Sequence, residues 1–210
     1  QELMILPEPL DHEDTAIAFR KDSADLLQQV NAIIAELKAD GTLQSMQKRW
    51  LKPDLSPYEE ISIPLPVTGE VLKIGVSATR EPLSFVDKSG KVSGHDGELA
   101  RVIGHKLQRP VAFSNMKFMA LIPALQSGKV DMILTGMTAT EERKKHVNFS
   151  EPYFSNSQVV LVKKQVLNAA PPVVDASGSD NSGKFSSAAD LKTSRIGVLL
   201  GSAYDKYATD

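Results

Sequence analysis

The stretch ILTGMTATEER, residues 133–143, gathers hydroxyls at Thr135, Thr138 and Thr140, a glycine at 136 and a guanidinium at Arg143. Hydroxyls and free backbone amides are donors suited to a carboxylate, and a guanidinium can grip one through two parallel hydrogen bonds. Gly136 lets a ligand come close to the main chain. Thr140 has the type and place of an N-cap for a short helix carrying Arg143. A second stretch, KIGVSATREP, sets Ser77, Thr79 and Arg80 after another apolar run. In an open parallel sheet, ligands sit beyond the carboxyl ends of the strands. The two clusters therefore read as a corner that receives a small organic anion. The alternative from pattern alone is that Thr140 only caps its helix while Arg143 pairs with Glu141 or Glu142 on the surface.

Enzymatic signatures are missing. There is no Gly-x-Ser-x-Gly elbow, phosphate loop or Gly-x-Gly-x-x-Gly. His12, His95, His105 and His146 have no metal-ligand spacing, and with no cysteine there is no thiolate chemistry, no disulfide and no cysteine metal site. No cofactor is expected. His95-Asp96 is a suggestive pair, but sequence neighbours rarely face one another, so it is given no catalytic or metal role. A formal net charge of -2 and one short basic run, Arg143-Lys144-Lys145-His146, argue against nucleic acid; the run reads as a solvated helix face. No apolar stretch approaches the ~20 residues of a membrane span. Gln1-Glu2-Leu3 does not look like a natural start, so an upstream segment is expected to be missing.

The elements that must position these residues follow from periodicity. LMIL (3–6) and TAIAFRKDS (15–23) read as strands. Asp22 or Ser23 would cap a helix with Leu26, Val30, Ile33, Ile34 and Leu37 on one face and Gly41 as its stop. Leu43, Met46 and Trp50 mark a shorter helix, and the proline-bearing stretch 52–69 an extended linker. VLKIGV (71–76) is a strand, and 83–94 a hairpin turning at Lys88-Ser89-Gly90. A helix capped by Asp96 carries Leu99, Val102, Ile103 and Leu107; PVAFS (110–114) is a strand. Phe118, Leu121, Ile122 and Leu125 mark a helix stopped at Gly128, with Phe118 at the strand-end edge where it can face a ligand. VDMILT (130–135) and SQVVLVKK (157–164) are strands; the unbroken apolar run of the first suits a sheet covered on both faces. Residues 168–189 are small, polar and rich in Pro, Gly and Ser, which reads as a flexible insertion, and RIGVLL then restarts the pattern. Strands alternating with helices predict an α/β fold with a doubly wound, mostly parallel sheet.

Three stretches, IGVSATREPLSFVDKSGKVSGHDGELARVIG, FMALIPALQSGKVDMILTGMTATEERKKHVNFSEPYF and DLKTSRIGVLLGSAYDKY, closely resemble the family 3 (polar amino acid) solute-binding proteins of ABC transporters. The resemblance implies a periplasmic-binding-protein-like fold of type II: two α/β lobes joined by crossover strands, with the ligand between them. It implies that Arg143 clamps the carboxylate of an amino acid, that Thr135, Gly136 and Thr138 add hydroxyl and backbone contacts, and that Phe118 packs on the ligand side chain. Ser77 falls where a polar or acidic contact is common. Ser202 and Ala203 would open a second-lobe helix whose amides assist. Three positions depart from the pattern: Arg80 stands where an aromatic is common, His95 replaces the phenylalanine of a Gly-Phe-Asp motif, and Ala203 lacks a usual hydroxyl. Arg80 leads to the expectation of an acidic ligand side chain.

The segment TAIAFRKDSADLLQQVNAIIAELKADGTLQSMQKRWL resembles the family's C-terminal part, so the order is tail, linker, head. A fragment of a tandem pair and a circular permutation both fit. The expected layout is 1–51 as a C-terminal segment packing on lobe 1, 52–70 as linker, 71–164 as lobe 1, 165–190 as insertion and 191–210 as the start of lobe 2: one complete lobe plus part of a second. Capture of a small amino acid or related carboxylate for an ABC permease, in the periplasm or outside the cell, is the expected function. A ligand-sensing receptor domain and a cyclohexadienyl dehydratase-like enzyme are the alternatives. Exchange of segments between copies, and anchoring to a membrane through missing segments, are further expectations.

Overall fold

The computed structural model describes residues 3–6, 11–51, 58, 60–163 and 198. The expected strand at 195–200, the insertion, most of the linker's first part, Ser202 and Ala203 lie outside the described residues. The strands are β1 (Leu3–Ile5), β2 (Asp11–Thr15), β3 (Ala18–Phe19), β4 (Leu72–Val76), β5 (Thr79–Arg80), β6 (Ser84–Val86), β7 (Val92–Ser93), β8 (Val111–Asn115), β9 (Met132–Ile133), β10 (Asn148–Phe149), β11 (Phe154–Gln158) and β12 (Leu161–Lys163). The helices are α1 (Ala24–Ala39), α2 (Thr42–Trp50), α3 (His95–Lys106), α4 (Leu121–Gln126) and α5 (Glu141–His146), with a 3₁₀ turn at Phe118–Ala120. Two compact units result: residues 14–154 form one, and the described residues before 14 and after 154 belong to the other.

The larger unit is built on a five-stranded sheet in the order β10-β3-β9-β4-β8. Side chains alternate across a strand, and β4 shows the consequence. Leu72, Ile74 and Val76 join one apolar cluster with Val30, Ile33, Ile34 and Leu37 of α1, Leu43 and Met46 of α2, and Leu99 and Ile103 of α3. The opposite face holds a second cluster, with Ala18, Leu121, Leu125, Val130, Ile133 and Met137. Gly75 points there, and a Cβ on it would stand 3.2 Å from Leu121 and 3.3 Å from Val130. The sheet is thus covered on both sides, as the apolar run through Val130 and Leu134 requires. The α1 stripe at 30, 33, 34 and 37 is the helical spacing of one face. Full burial of each such aliphatic side chain stabilises by roughly 1.5–3 kcal/mol, which outweighs the few tenths that separate helix propensities.

Local chemistry accounts for the turns. Asp87 Oδ1 accepts from the backbone amides of Ser89 (2.8 Å) and Lys91 (2.9 Å), closing the β6–β7 hairpin at the expected turn. Glu98 of α3 accepts from Arg49 through both oxygens and from Trp50 Nε1 at 2.7 Å, which ties the end of α2 to α3. In the smaller unit β1 pairs antiparallel with β12, and Leu6 donates to the Val160 carbonyl.

The expected α/β class is what the structure shows, with a mixed central sheet: β4 runs parallel to β8 and β9, whereas β3 is antiparallel to β9 and β10. Expectations for single elements are corrected. Residues 15–23 are not one strand, because the Ala16 and Ile17 amides go to the Met137 carbonyl and the Ser150 hydroxyl instead of a ladder. Residues 157–164 divide between β11, which pairs with β2, and β12. Strand β9 is shorter than 130–135, although Asp131 and Leu134 still donate to the Lys73 and Gly75 carbonyls of β4. Helix α3 is capped at Gly94, not Asp96. Gly94 has φ +102, and a Cβ there would meet the Leu83 carbonyl oxygen at 2.5 Å, so only glycine allows the Pro82 and Leu83 carbonyls to accept the first α3 amides. Asp96 is thereby turned into the core.

Candidate functional site

The site is assembled by β9, the loop after it and α5. Thr140 caps α5 by accepting from the Arg143 amide at 3.3 Å, as its type predicts. With the helix start fixed, Arg143 lies back over the loop. Its Nη1 donates to the Thr138 carbonyl at 2.8 Å, and its guanidinium carbon stands 5.2 Å from the centroid of the Phe118 ring. Phe118 opens the 3₁₀ turn that leads into α4. Arg143, Thr138 and Phe118 are half-buried, so the cation is partly shielded without being sealed off. A guanidinium over an aromatic face gains roughly 0.5–2 kcal/mol, more as water is excluded. Its planar fork is well suited to an approaching carboxylate.

Gly136 takes the left-handed conformation, φ +62. Its carbonyl accepts from Arg80 Nη1 at 3.3 Å, and its amide donates to the Tyr153 hydroxyl at 3.2 Å. Arg80 is therefore turned onto the loop backbone. The Thr135 hydroxyl accepts from the Ser77 amide at 2.9 Å and donates to the Ser77 carbonyl at 3.3 Å. Both residues are buried, and this pair stitches the end of β4 to the end of β9. The structure thus groups Arg143 with Thr138 and Phe118, Gly136 with Arg80, and Thr135 with Ser77; all lie in the larger unit. Glu141 accepts from Lys144 at 2.7 Å.

Sequence reasoning missed the groups beneath this loop. His95 and Asp96 do face one another: His95 Nδ1 lies 3.1 Å from Asp96 Oδ1, and the Tyr153 hydroxyl donates to the same oxygen at 3.1 Å. The closure of Gly94 on the 82–83 backbone brings both side chains inward, and no periodicity announces that. Burial pushes the Tyr153 phenol well above its usual range, and the Asp96 carboxylate beside it adds to the effect. Among the described residues no group of three or more His, Cys, Asp or Glu is placed to hold a metal ion.

The family profile of bacterial extracellular solute-binding proteins, family 3, matches residues 5–53 and 72–184, well over half of the chain. The chain belongs to that family. It is 34% identical over 141 residues to ABC transporter arginine-binding protein 1 of Escherichia coli K12, an alignment covering 67% of this chain and 51% of that protein. Identity to the L-arginine-binding protein of Pseudomonas aeruginosa is 30% over 149 residues, 71% of this chain and 51% of that one. A probable histidine-binding protein of Neisseria gonorrhoeae is 30% identical over 148 residues, covering 70% and 49%. The chain spans about half the length of the curated relatives it matches. Among solved structures, an ancestral arginine-binding protein bound to arginine aligns at 51% identity over 41% of this chain and 38% of that one, with a TM-score of 0.40.

Proposed function

We propose that this chain captures a free amino acid by its α-carboxylate at the Arg143 corner, and that the protein containing it works outside the cytoplasmic membrane with an ABC permease. The observation that carries the reading is the Arg143 guanidinium, held by the Thr138 carbonyl and laid over Phe118 at the end of a parallel strand. Family membership and relatives named for arginine and histidine support an amino-acid ligand. Thr138 and the 136–138 backbone would flank the carboxylate, and Phe118 would pack on the ligand's aliphatic part. Ser202 and Ala203 would add contacts from the second lobe.

The relatives' names make L-arginine the first ligand to try. Arg80, 3.3 Å from the Gly136 carbonyl, makes L-glutamate the second, because a cation there favours an acidic side chain. Calorimetry with both on the 210-residue chain decides the side-chain class: tighter binding of L-arginine ends the acidic preference. The Arg143→Ala variant tests the clamp itself. Loss of a charge-assisted pair worth about 1.5–3 kcal/mol predicts a drop in affinity of roughly ten- to a hundredfold. Undiminished binding by that variant would place the carboxylate elsewhere.

A further inference from the structure

Beneath the Gly136 loop lies a chain of hydrogen bonds between groups removed from water. The Gly136 amide donates to the Tyr153 hydroxyl (3.2 Å), the hydroxyl donates to Asp96 Oδ1 (3.1 Å), and His95 Nδ1 meets the same oxygen (3.1 Å). His95 and Asp96 are 0% exposed and Tyr153 2%. The His95 ring stacks on the Tyr153 ring, centroids 5.9 Å apart and planes 15° off parallel. Asp96 Oδ2 and His95 Nε2 are buried and have no hydrogen-bond partner among the described residues. Such groups weaken a fold relative to an apolar filling of equal shape. Core packing alone therefore does not account for them. What they do achieve is directional. With the carboxylate accepting its proton, the Tyr153 hydroxyl has its lone pairs left for the Gly136 amide, and His95 Nδ1–H holds the carboxylate in place.

We propose that Tyr153, Asp96 and His95 are positioning residues: they anchor the Gly136 amide and so set the 136–138 backbone on which Arg143 rests, which makes ligand affinity depend on side chains that never touch the ligand. The array ends at Gly136, two positions from the Thr138 carbonyl that accepts from Arg143 Nη1 at 2.8 Å. The proposal rests on Arg143 being the carboxylate clamp. It adds that the clamp's orientation is controlled from below.

Amide hydrogen exchange at Gly136, followed by NMR without ligand, and calorimetry with L-arginine test it on the 210-residue chain. In Tyr153→Phe the ring remains and the hydroxyl is lost: Gly136 exchange should rise at least tenfold and L-arginine affinity fall about tenfold. Asp96→Asn, which keeps an acceptor oxygen, should retain more of both properties than Asp96→Ala. Leu37→Ala, which leaves a cavity under α1 and touches none of the three groups of the array, is the comparison. If it accelerates Gly136 exchange and weakens binding as much as Tyr153→Phe, the array acts only through global stability and the proposal fails. Unchanged Gly136 exchange in Tyr153→Phe overturns the anchoring whatever the ligand does. Faster exchange with unaltered affinity overturns the coupling. If the unsubstituted chain binds no common amino acid, the carboxylate reading fails and the coupling with it, while Gly136 exchange still decides the anchoring.

Discussion

Gly136 and Thr140 act on the site in different ways, and substitutions separate them. Thr140 supplies one hydrogen bond to the Arg143 amide. Thr140→Ala should cost about 1 kcal/mol in urea denaturation, as for other N-caps. Gly136→Ala adds a methyl to a backbone at φ +62, with Arg80 Nη1 3.3 Å from the new atom. The left-handed conformation alone costs roughly 1–2 kcal/mol, and the Arg80 guanidinium has to give way slightly beside the new methyl. Ligand affinity should fall along with stability. Tyr153 gives a pH signature. Its folded pKa lies above the ordinary 10.0, so its contribution is complete below pH 10 and is lost as pH climbs through the folded value. Phenolate absorbance should show a tyrosine ionising above the ordinary range, and Tyr153→Phe should remove that step.

At the scale of elements, the entry into α3 is a close approach of backbone to backbone. Gly94 and Gly90 both have positive φ, +102 and +83, but only Gly94 is hemmed in, by the Leu83 and Pro82 carbonyl oxygens at 2.5 and 2.7 Å. Gly90→Ala should cost about 1 kcal/mol, the conformational term alone. Gly94→Ala should cost at least about 2 kcal/mol more, because backbone atoms cannot step aside as a side chain would. Equal losses would show that α3 approaches the 82–83 backbone less closely than described. The α1 helix depends on burial in another way: its Ser23 N-cap makes no side-chain capping bond, and Val30, Ile34 and Leu37 hold it to the sheet.

At the scale of the molecule, residues far apart in sequence close one core. Glu98 joins α3 to Arg49 and Trp50, and the Trp50 ring lies tilted against Tyr58 (centroids 5.1 Å apart) and edge-on to Phe85 (6.3 Å). Glu98→Ala withdraws the acceptor of three hydrogen bonds from a buried junction and should cost about 3 kcal/mol, with an unchanged denaturant slope. Glu98→Gln should cost less. The arrangement also bears on chain order. Strand β3 and helices α1 and α2 complete the same unit as β4, β8 and β9, in one molecule. We propose on that basis that segment 12–51 serves as the closing part of the lobe formed by 71–164.

The sequence by itself determined what short-range physics controls. The α1 stripe, the Thr140 cap, the turn at Lys88-Ser89-Gly90, the apolar run at 130–134 and the polar stretch around Arg143 were legible because periodicity and capping act over a few residues. The tertiary structure alone decided that the Thr135 hydroxyl closes on Ser77, that Arg80 lies on Gly136, and that Asp96 leaves the cap position for the core beside Tyr153. Each of those contacts joins residues many positions apart or depends on a backbone close approach such as that at Gly94. Such contacts are set by which surfaces pack together, and residue type and spacing carry no record of that.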